Sequence, residues 1–524
     1  MHPQTISRAA RAAFLPILIA GAASLAAPRA ARAAEHALTL DEAIELALSH
    51  NEQIAIDRES FSAAKAGLTG ARGAYDPLLQ ISGGWQRSRE PLNSSFSGVP
   101  LGSAPTYKAS EGTLSIRQLL PTGASLSIAG RAAHETTSGS LALLTPANST
   151  QIGVELRQPL LRGFAIDPAR ANVRVARSQR SGAEAALRST VTETIASVEQ
   201  GYWSLIAARQ AVDVLEESVR LAQEQLEETE SRVKTGAAPE TETAQPRAEL
   251  QRRTGDLLAA RENLSRAENA LKVQILSDED PLWADRLIPA DEPTVDPSPV
   301  DVAALMDQAL DRRPELRAGA AAIERRRAET SLARNSVYPS LDAVLSYDRY
   351  GLAGSRNPLD DGGDLPDRWS GGLGDAFQSL GDSDYDAVKV GLVLEVPISN
   401  RSARAAASSA RSALDQAQAD VSRMRKSIRA EVLDAAAALE TARQRIEAAR
   451  SGREAAEVQL SAEQDRYAVG LSTNFLVLTR QNDLSRARLE EISALTAYRN
   501  ARTEIARATG SLLDERDIDG REIE

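Results

Sequence analysis

Two short stretches carry the residue types of a nucleophilic enzyme. Ser62-Ala-Ala-Lys65 and Lys234-Thr-Gly236 imitate two boxes of the serine β-lactamases, where a lysine beside the serine serves acyl transfer. That chemistry also needs an SDN box and a KTG placed on a strand. SDN does not occur, Lys234-Thr-Gly236 ends a heptad-patterned helix, and Ser62–Lys65 lies within a helical pattern, so no acyl-enzyme is expected. The histidines at 2, 36, 50 and 134 have no metal-ligand spacing. No phosphate-cradling P-loop or GxGxxG is present, so the chain has no energy source of its own, and transport through it is expected to be passive. A net charge of −12 argues against a nucleic-acid partner. With no cysteine there is no disulfide framework, thiolate metal site or acylated anchor. We expect no catalytic residues, no metal and no cofactor.

What remains is mostly architecture. In 524 residues only 4% are aromatic, and long stretches are rich in Ala, Glu, Arg and Gln, the composition of closely packed long helices. Between 191 and 233 apolar or small residues recur at Val191, Ile195, Val198, Tyr202, Leu205, Val212, Leu215, Val219, Ala222, Leu226, Thr229 and Val233. Ile428, Val432, Ala435, Leu439, Ala442, Ile446, Ala449, Ala456, Leu460 and Tyr467 repeat the pattern, and Leu250, Leu257, Leu264 and Leu271 stand seven apart. A period near 3.5 predicts left-handed coiled-coil packing. A helix from about 168 to 234 would be about 100 Å long. Such a helix is a strut, several times longer than a bilayer is thick.

The N-terminus reads as a secretory signal, residues 1–33. Arg8 and Arg11 precede the apolar run 13–27, and Ala31-Arg32-Ala33 suits cleavage. No other stretch approaches the roughly 20 apolar residues of a spanning helix, so an exported chain that crosses a membrane must do so as a barrel.

The sequence also repeats itself. LDEAIELALSHNEQIAIDRES (from 40) aligns with VAALMDQALDRRPELRAGAAA (from 302), and Pro77 meets Pro339 at the same offset of 262. IGVELRQPL (152–160) then meets VGLVLEVPI (390–398) at 238, so 24 more residues lie between the first pair of prolines than between the second. Each copy follows one plan: short helix, strands, long helix, glycine tip, helix. We divide the chain into 1–33, a first repeat at 34–275, an acidic, proline-rich linker at 276–299, a second repeat at 300–510 and an acidic tail at 511–524.

Segments 78–89, 112–120, 124–134, 150–160, 341–349 and 388–397 alternate in hydrophobicity and approach the 9–11 residues of a membrane strand. Polar Gly/Ser/Pro-rich stretches at 90–111, 135–149 and 353–386 read as loops. Four to six strands cannot close a channel, so several chains must contribute. At the tips, Gly236 and Gly470 suit helix C-caps, and Pro239 and Thr473 suit helix starts.

These features together resemble the TolC-type outer-membrane efflux proteins over about 38–512. The resemblance rests on the duplicated LxxAIxxAL-type entry helix, QPLLRG (158–163), VGLVLEVPISNR (390–401) and the R/Y-x-x-G tips, in that order and spacing. It implies a mainly α protein with membrane β: a homotrimeric outer-membrane β-barrel continued by an α-helical barrel through the periplasm. The partners it implies are a periplasmic adaptor, an inner-membrane pump and outer-membrane lipid, with a role in efflux or type I secretion. Pro77, Pro159, Pro339 and Pro397 would then mark the transitions between barrel and tunnel, and the tips would form the periplasmic mouth. Glu242, Leu476, Thr479, Arg247 and Arg480 are the gate candidates. The second tip departs from the family's acidic pattern, placing Leu476 and Thr479 where carboxylates are expected. Arg247 and Arg480 could hold the tips shut through carboxylates of neighbouring chains.

The family architecture favours four barrel strands per chain, with the pair joined by Pro121-Thr-Gly123 lying outside the barrel. Six is the alternative. Two other classes stay open: a periplasmic adaptor, which carries one helical hairpin instead of two, and a structural coiled-coil envelope protein, which would not need alternating strands.

Overall fold

The computed structural model describes residues 35–91, 104–296, 300–360, 365–382 and 385–518. The expected signal segment lies outside them. The first repeat begins with β1 (Glu35–Leu38), α1 (Leu40–His50) and α2 (Glu52–Arg72). Four strands follow, β2 (Leu78–Arg89), β3 (Thr106–Leu119), β4 (Ser125–Thr137) and β5 (Leu144–Pro159), then α3 (Pro168–Lys234) and α4 (Ala244–Ile275). A short strand, β6 (Arg286–Pro289), leads to the second repeat: α5 (Val302–Arg312), α6 (Pro314–Asn335), β7 (Ser340–Arg356), α7 (Leu373–Ser379), β8 (Asp386–Glu395), α8 (Arg401–Ala468) and α9 (Asn474–Thr509). The chain's last described helix is α10 (Leu512–Glu515).

Local chemistry sets the long helices. Asp167 caps α3 by accepting from the Arg170 amide, Pro168 takes the first position, where its missing N–H costs nothing, and 67 residues run to Lys234 before Gly236 ends the helix. The periodic positions are the buried ones: Val191, Ile195, Val198, Tyr202 and Leu205 in α3, and Ile428, Val432, Leu439 and Ile446 in α8. Ser62–Lys65 lies inside α2, and Lys234 is the final residue of α3.

Above and below the middle the helices form a layer four across, and at the middle α1 and α5 pack against it. Nearer the sheet the order is α2–α3–α6–α8, and beyond the middle it is α4–α3–α9–α8. First-repeat elements bound one side of the layer and α8 the other.

The two strands joined by Pro121-Thr-Gly123, expected to stand apart from the others, are instead part of the sheet. All six long strands join one antiparallel sheet in the order β2–β3–β4–β5–β7–β8. The Pro121-Thr-Gly123 turn closes a hairpin paired along its length from Tyr107–Thr137 to Leu119–Ser125. Gly123 takes φ +85, which suits glycine. The longer span between Pro77 and Pro159 thus accommodates one extra hairpin in the wall of the sheet.

The sheet has two unlike faces. One row across it reads Leu79, Ile116, Ile128, Val154, Tyr347 and Val388, all exposed. The adjacent row on the other face reads Leu78, Arg117, Ser127, Glu155, Ser346 and Lys389, polar from β3 onwards. No helix among the described residues is long and apolar enough to cross a membrane.

Two further expectations change. The 353–386 stretch is not simply an exposed loop, because α7 folds back onto the apolar face of the sheet. There Thr150 Oγ1 donates to the Ala376 carbonyl (2.8 Å), and a Cβ at Gly351 would collide with that same oxygen. The prolines also divide into two kinds. Pro77 and Pro339 stand where a helix gives way to a strand, while Pro159 ends β5 and Pro397 follows β8 just before α8.

The acidic linker is organised around a buried tyrosine. β6 pairs in parallel with β1, and Tyr202, fully buried, donates its hydroxyl between Leu38 O (2.9 Å) and Asp291 Oδ2 (2.6 Å). The amides of Ala290 and Asp291 donate to the Tyr202 hydroxyl oxygen. The tail contributes too: Leu512 is buried in the first-repeat core, and Arg516 pairs with Glu199, which also accepts from Thr503 of α9. Glu199 thereby ties the two repeats together at mid-height.

Candidate functional site

Both helix tips are built alike. Gly236 has φ +77 and Gly470 φ +79, and nothing lies within 4 Å of a Cβ placed on either, so backbone conformation alone asks for glycine. The Ala237 amide bonds back to Arg232 O and the Leu471 amide to Arg466 O, both at 2.8 Å, closing the same cap twice. The returning helices then differ. Pro239 opens a 3₁₀ turn, Glu240–Thr243, before α4 begins, whereas Thr473 directly precedes α9.

Glu242 lies exposed in that 3₁₀ turn. Leu476 is 38% exposed on the first turn of α9, beside the exposed Phe475. Thr479 turns its hydroxyl onto the Phe475 carbonyl of its own helix. Both arginines already have carboxylates within the chain: Arg247 reaches Glu230 across the first hairpin (3.4 Å), and Arg480 pairs with Asp483 on its own helix (3.1 Å). The five candidates therefore share one end of the molecule, but they do not contact one another as a cluster.

The tips are joined by residues that sequence reasoning did not single out for this role. Arg232 donates to the Tyr467 hydroxyl (2.9 Å), which in turn donates to Glu228 (3.3 Å). Asn474 Nδ2 donates to Thr229 Oγ1 (2.9 Å). These contacts link the second hairpin to α3 of the first. Hydrogen bonds of this kind contribute about 0.5–1.5 kcal/mol each.

Arg253 is a stronger tie. It is 2% exposed and lies about two and a half turns into α4. Its guanidinium donates to Ser218 O of α3 (3.0 Å), to Leu478 O (3.1 Å) and Gln481 Oε1 (3.3 Å) of α9, and to Glu249 on its own helix (2.8 Å). It sits three residues after Leu250 in the leucine heptad, at a position where the pattern calls for an apolar side chain. A charge on that seam was the clue available in the sequence.

Glu249 is held below the usual carboxylate range, first by its hydrogen bonds from Arg252 and then, against the cost of burial, by those from Arg253. A carboxyl with a depressed folded-state pKa adds stability that is complete above its unfolded value of about 4.3 and is lost as pH falls through the folded value. The protection of the α4–α9 contact against hydrogen exchange, relative to the intrinsic rate, should therefore fall as pH drops below about 4.3. Glu249→Gln should remove that acid step. An unchanged pH profile in the variant would show that Glu249 is not its source.

The arrangement is a sheet with one apolar face, joined to a helical layer that ends in two weakly latched tips. It is the architecture of outer-membrane channel proteins. Residues 128–275 and 305–511 match the family model described as outer membrane efflux protein. The chain belongs to the outer membrane efflux protein family. It is 25% identical to the outer membrane efflux protein BepC of Brucella suis biovar 1 (strain 1330) over 344 residues, 66% of this chain and 68% of that one. Its fold is similar to the Campylobacter jejuni CmeC outer membrane channel (TM-score 0.64, 16% identity, covering 90% of this chain and 86% of that one). It is likewise similar to the open state of the Neisseria gonorrhoeae MtrE outer membrane channel (TM-score 0.60, 18% identity, 92% and 90%). The protein is an exit duct of the outer membrane that extends into the periplasm.

Proposed function

We propose that three copies of the chain form a passive duct, which receives substrate from an inner-membrane pump through a periplasmic adaptor, in efflux or type I secretion. The observation that carries this reading is the pair of open sides. Among the described residues β2 and β8 each lack a neighbour on one edge, and the helical layer is bounded by first-repeat helices on one side and α8 on the other. Apolar side chains stand exposed at both: Ile56, Leu258 and Val273 on α2 and α4, and Leu433 and Val458 on α8. Two unlike, complementary sides make a head-to-tail contact that closes as a ring. An adaptor or a structural coiled coil would have no use for a six-stranded sheet with an apolar face. The duct carries out no catalysis.

The tips are the mouth. In a threefold ring each inward side chain occurs three times, so Leu476 excludes water by apolar contact while Glu242 attracts cations. Leu476→Ser should raise resting conductance severalfold with little change in selectivity. Glu242→Ala should weaken cation selectivity and block by multivalent cations, leaving the closed state largely intact. Single-channel recordings that match wild type for both variants would reduce these residues to parts of a turn. The duct reading itself is tested by isolating the protein from outer membrane and looking for a trimer that co-purifies with a pump.

A further inference from the structure

The β3–β4 hairpin lies between β2 and β5, so the sheet cannot enter a bilayer without it. Its side chains carry on both faces of the sheet: Ile116 and Ile128 belong to the apolar row, and Arg117 and Ser127 to the polar one. The free edges of β2 and β8 are exposed along nearly their whole length. In hydrocarbon every N–H and C=O on those edges must find a partner.

β2 leads away from the helices, and β8 returns towards them. A β8 placed beside the β2 of a second copy is therefore antiparallel to it, like every other pair in the sheet. The apolar row ends at Leu79 on one edge and at Val388 on the other, so it would continue across the seam.

The widths agree as well. Strands about 4.8 Å apart and tilted by about 40° take up about 6.3 Å of circumference each, so six span about 38 Å. Four helices spaced about 8–10 Å apart span about 32–40 Å. Four strands would span only about 25 Å.

We propose that β2 of each copy pairs with β8 of the next and that three copies close an eighteen-stranded barrel, in which β3 and β4 are wall. This rests on the three-copy reading above. By the same geometry the barrel radius is about 18 Å, against about 12 Å for twelve strands, which makes the cross-section about twofold larger. The membrane segment would then be about as wide as the helical tunnel, and the narrowest point of the duct would lie at the tips.

The chain contains no cysteine, so introduced thiols report without background. Ser82→Cys on the polar face of β2 is combined in turn with Ala387→Cys, Lys389→Cys and Val393→Cys on the same face of β8, in the full-length protein in outer membrane. Oxidation of one combination to a covalent trimer, with none for the single variants, is the expected result. Thr113→Cys of β3 serves as the decoy: its cross-linking to β8 in place of Ser82 would overturn the seam. A native trimer in which no Ser82 combination cross-links would overturn the barrel while leaving the three-copy reading intact. Absence of any trimer would instead refute that reading. In a second measurement, Ser127→Cys should react with a small impermeant maleimide, while Ile128→Cys should be silent to it and quenched by lipid-borne quenchers. Equal labelling of both would place the hairpin outside the membrane and overturn the proposal.

Discussion

Arg253→Ala uncouples the lower ends of the two hairpins. The side chain is buried, and its removal leaves the carbonyls of Ser218 and Leu478 without this donor and Glu249 without one of its two arginines. Leaving a buried carbonyl without its donor costs about 1–3 kcal/mol. The loss should be local, because Tyr202 and the Glu199 links lie farther up the tunnel. Hydrogen exchange is therefore expected to rise near 215–222 and 476–484 while the equatorial segment keeps its protection. Arg253→Lys retains the charge but cannot bond two helices with a planar fork, so it should recover only part of the effect. If the alanine variant unfolds and exchanges like wild type, the guanidinium is not what holds α3, α4 and α9 together. The functional consequence is looser tips: resting permeability to large antibiotics should rise in cells that carry Arg253→Ala, and less so with Arg253→Lys.

Tyr202→Ala has the second large effect, and it acts at the middle of the molecule. The ring packs edge-on against Trp203 with centroids 5.6 Å apart, and the hydroxyl joins β1 to the linker after β6. Truncating a buried aromatic side chain costs about 3–5 kcal/mol. Tyr202→Phe keeps the packing and leaves the polar groups around the hydroxyl underbonded, for about 1–3 kcal/mol. Limited proteolysis within 276–296 should quicken in both variants, more in the alanine. Burial, followed by the hydrogen bond with Asp291, raises the pKa of this hydroxyl. A raised folded-state pKa means that its contribution is complete below the unfolded value of about 10 and is lost as pH climbs through the folded one. Tyr202→Phe should therefore flatten the alkaline limb of the stability profile. Cleavage rates that do not distinguish the three proteins would show that the tyrosine does not fasten the linker.

Much of this protein was legible in the order of its residues. Heptads at Val191–Leu205 and Ile428–Ile446 fix a buried stripe because a helix returns to the same face every seven residues, whatever it packs against. Alternation between Leu79 and Gln80, or Ile128 and Ala129, reports two unlike faces because a strand has a period of two. Gly236 and Gly470 mark turns because the left-handed conformation is steep for any other residue. The duplication follows from such local regularities read in series, and the outer-membrane duct from the family resemblance that they carry. Their limit is pairing. Alternation in 112–120 and 124–134 says that these segments are strands but not which neighbours they choose, and a hairpin outside the wall has the same local pattern as one within it. Only the register, from Leu79 through Ile116 and Ile128 to Val388, placed all six strands in one sheet. Side-chain partners were hidden for the same reason. Arg253 was visible as a charge on an apolar seam, but its acceptors lie 35 and 225 residues away in Ser218 and Leu478. Tyr467 was assigned to a heptad, yet its hydroxyl faces Arg232 and Glu228 of the other repeat. Periodicity depends on the backbone of a single element and survives in the sequence, whereas a hydrogen bond between elements depends on where the whole chain brings them.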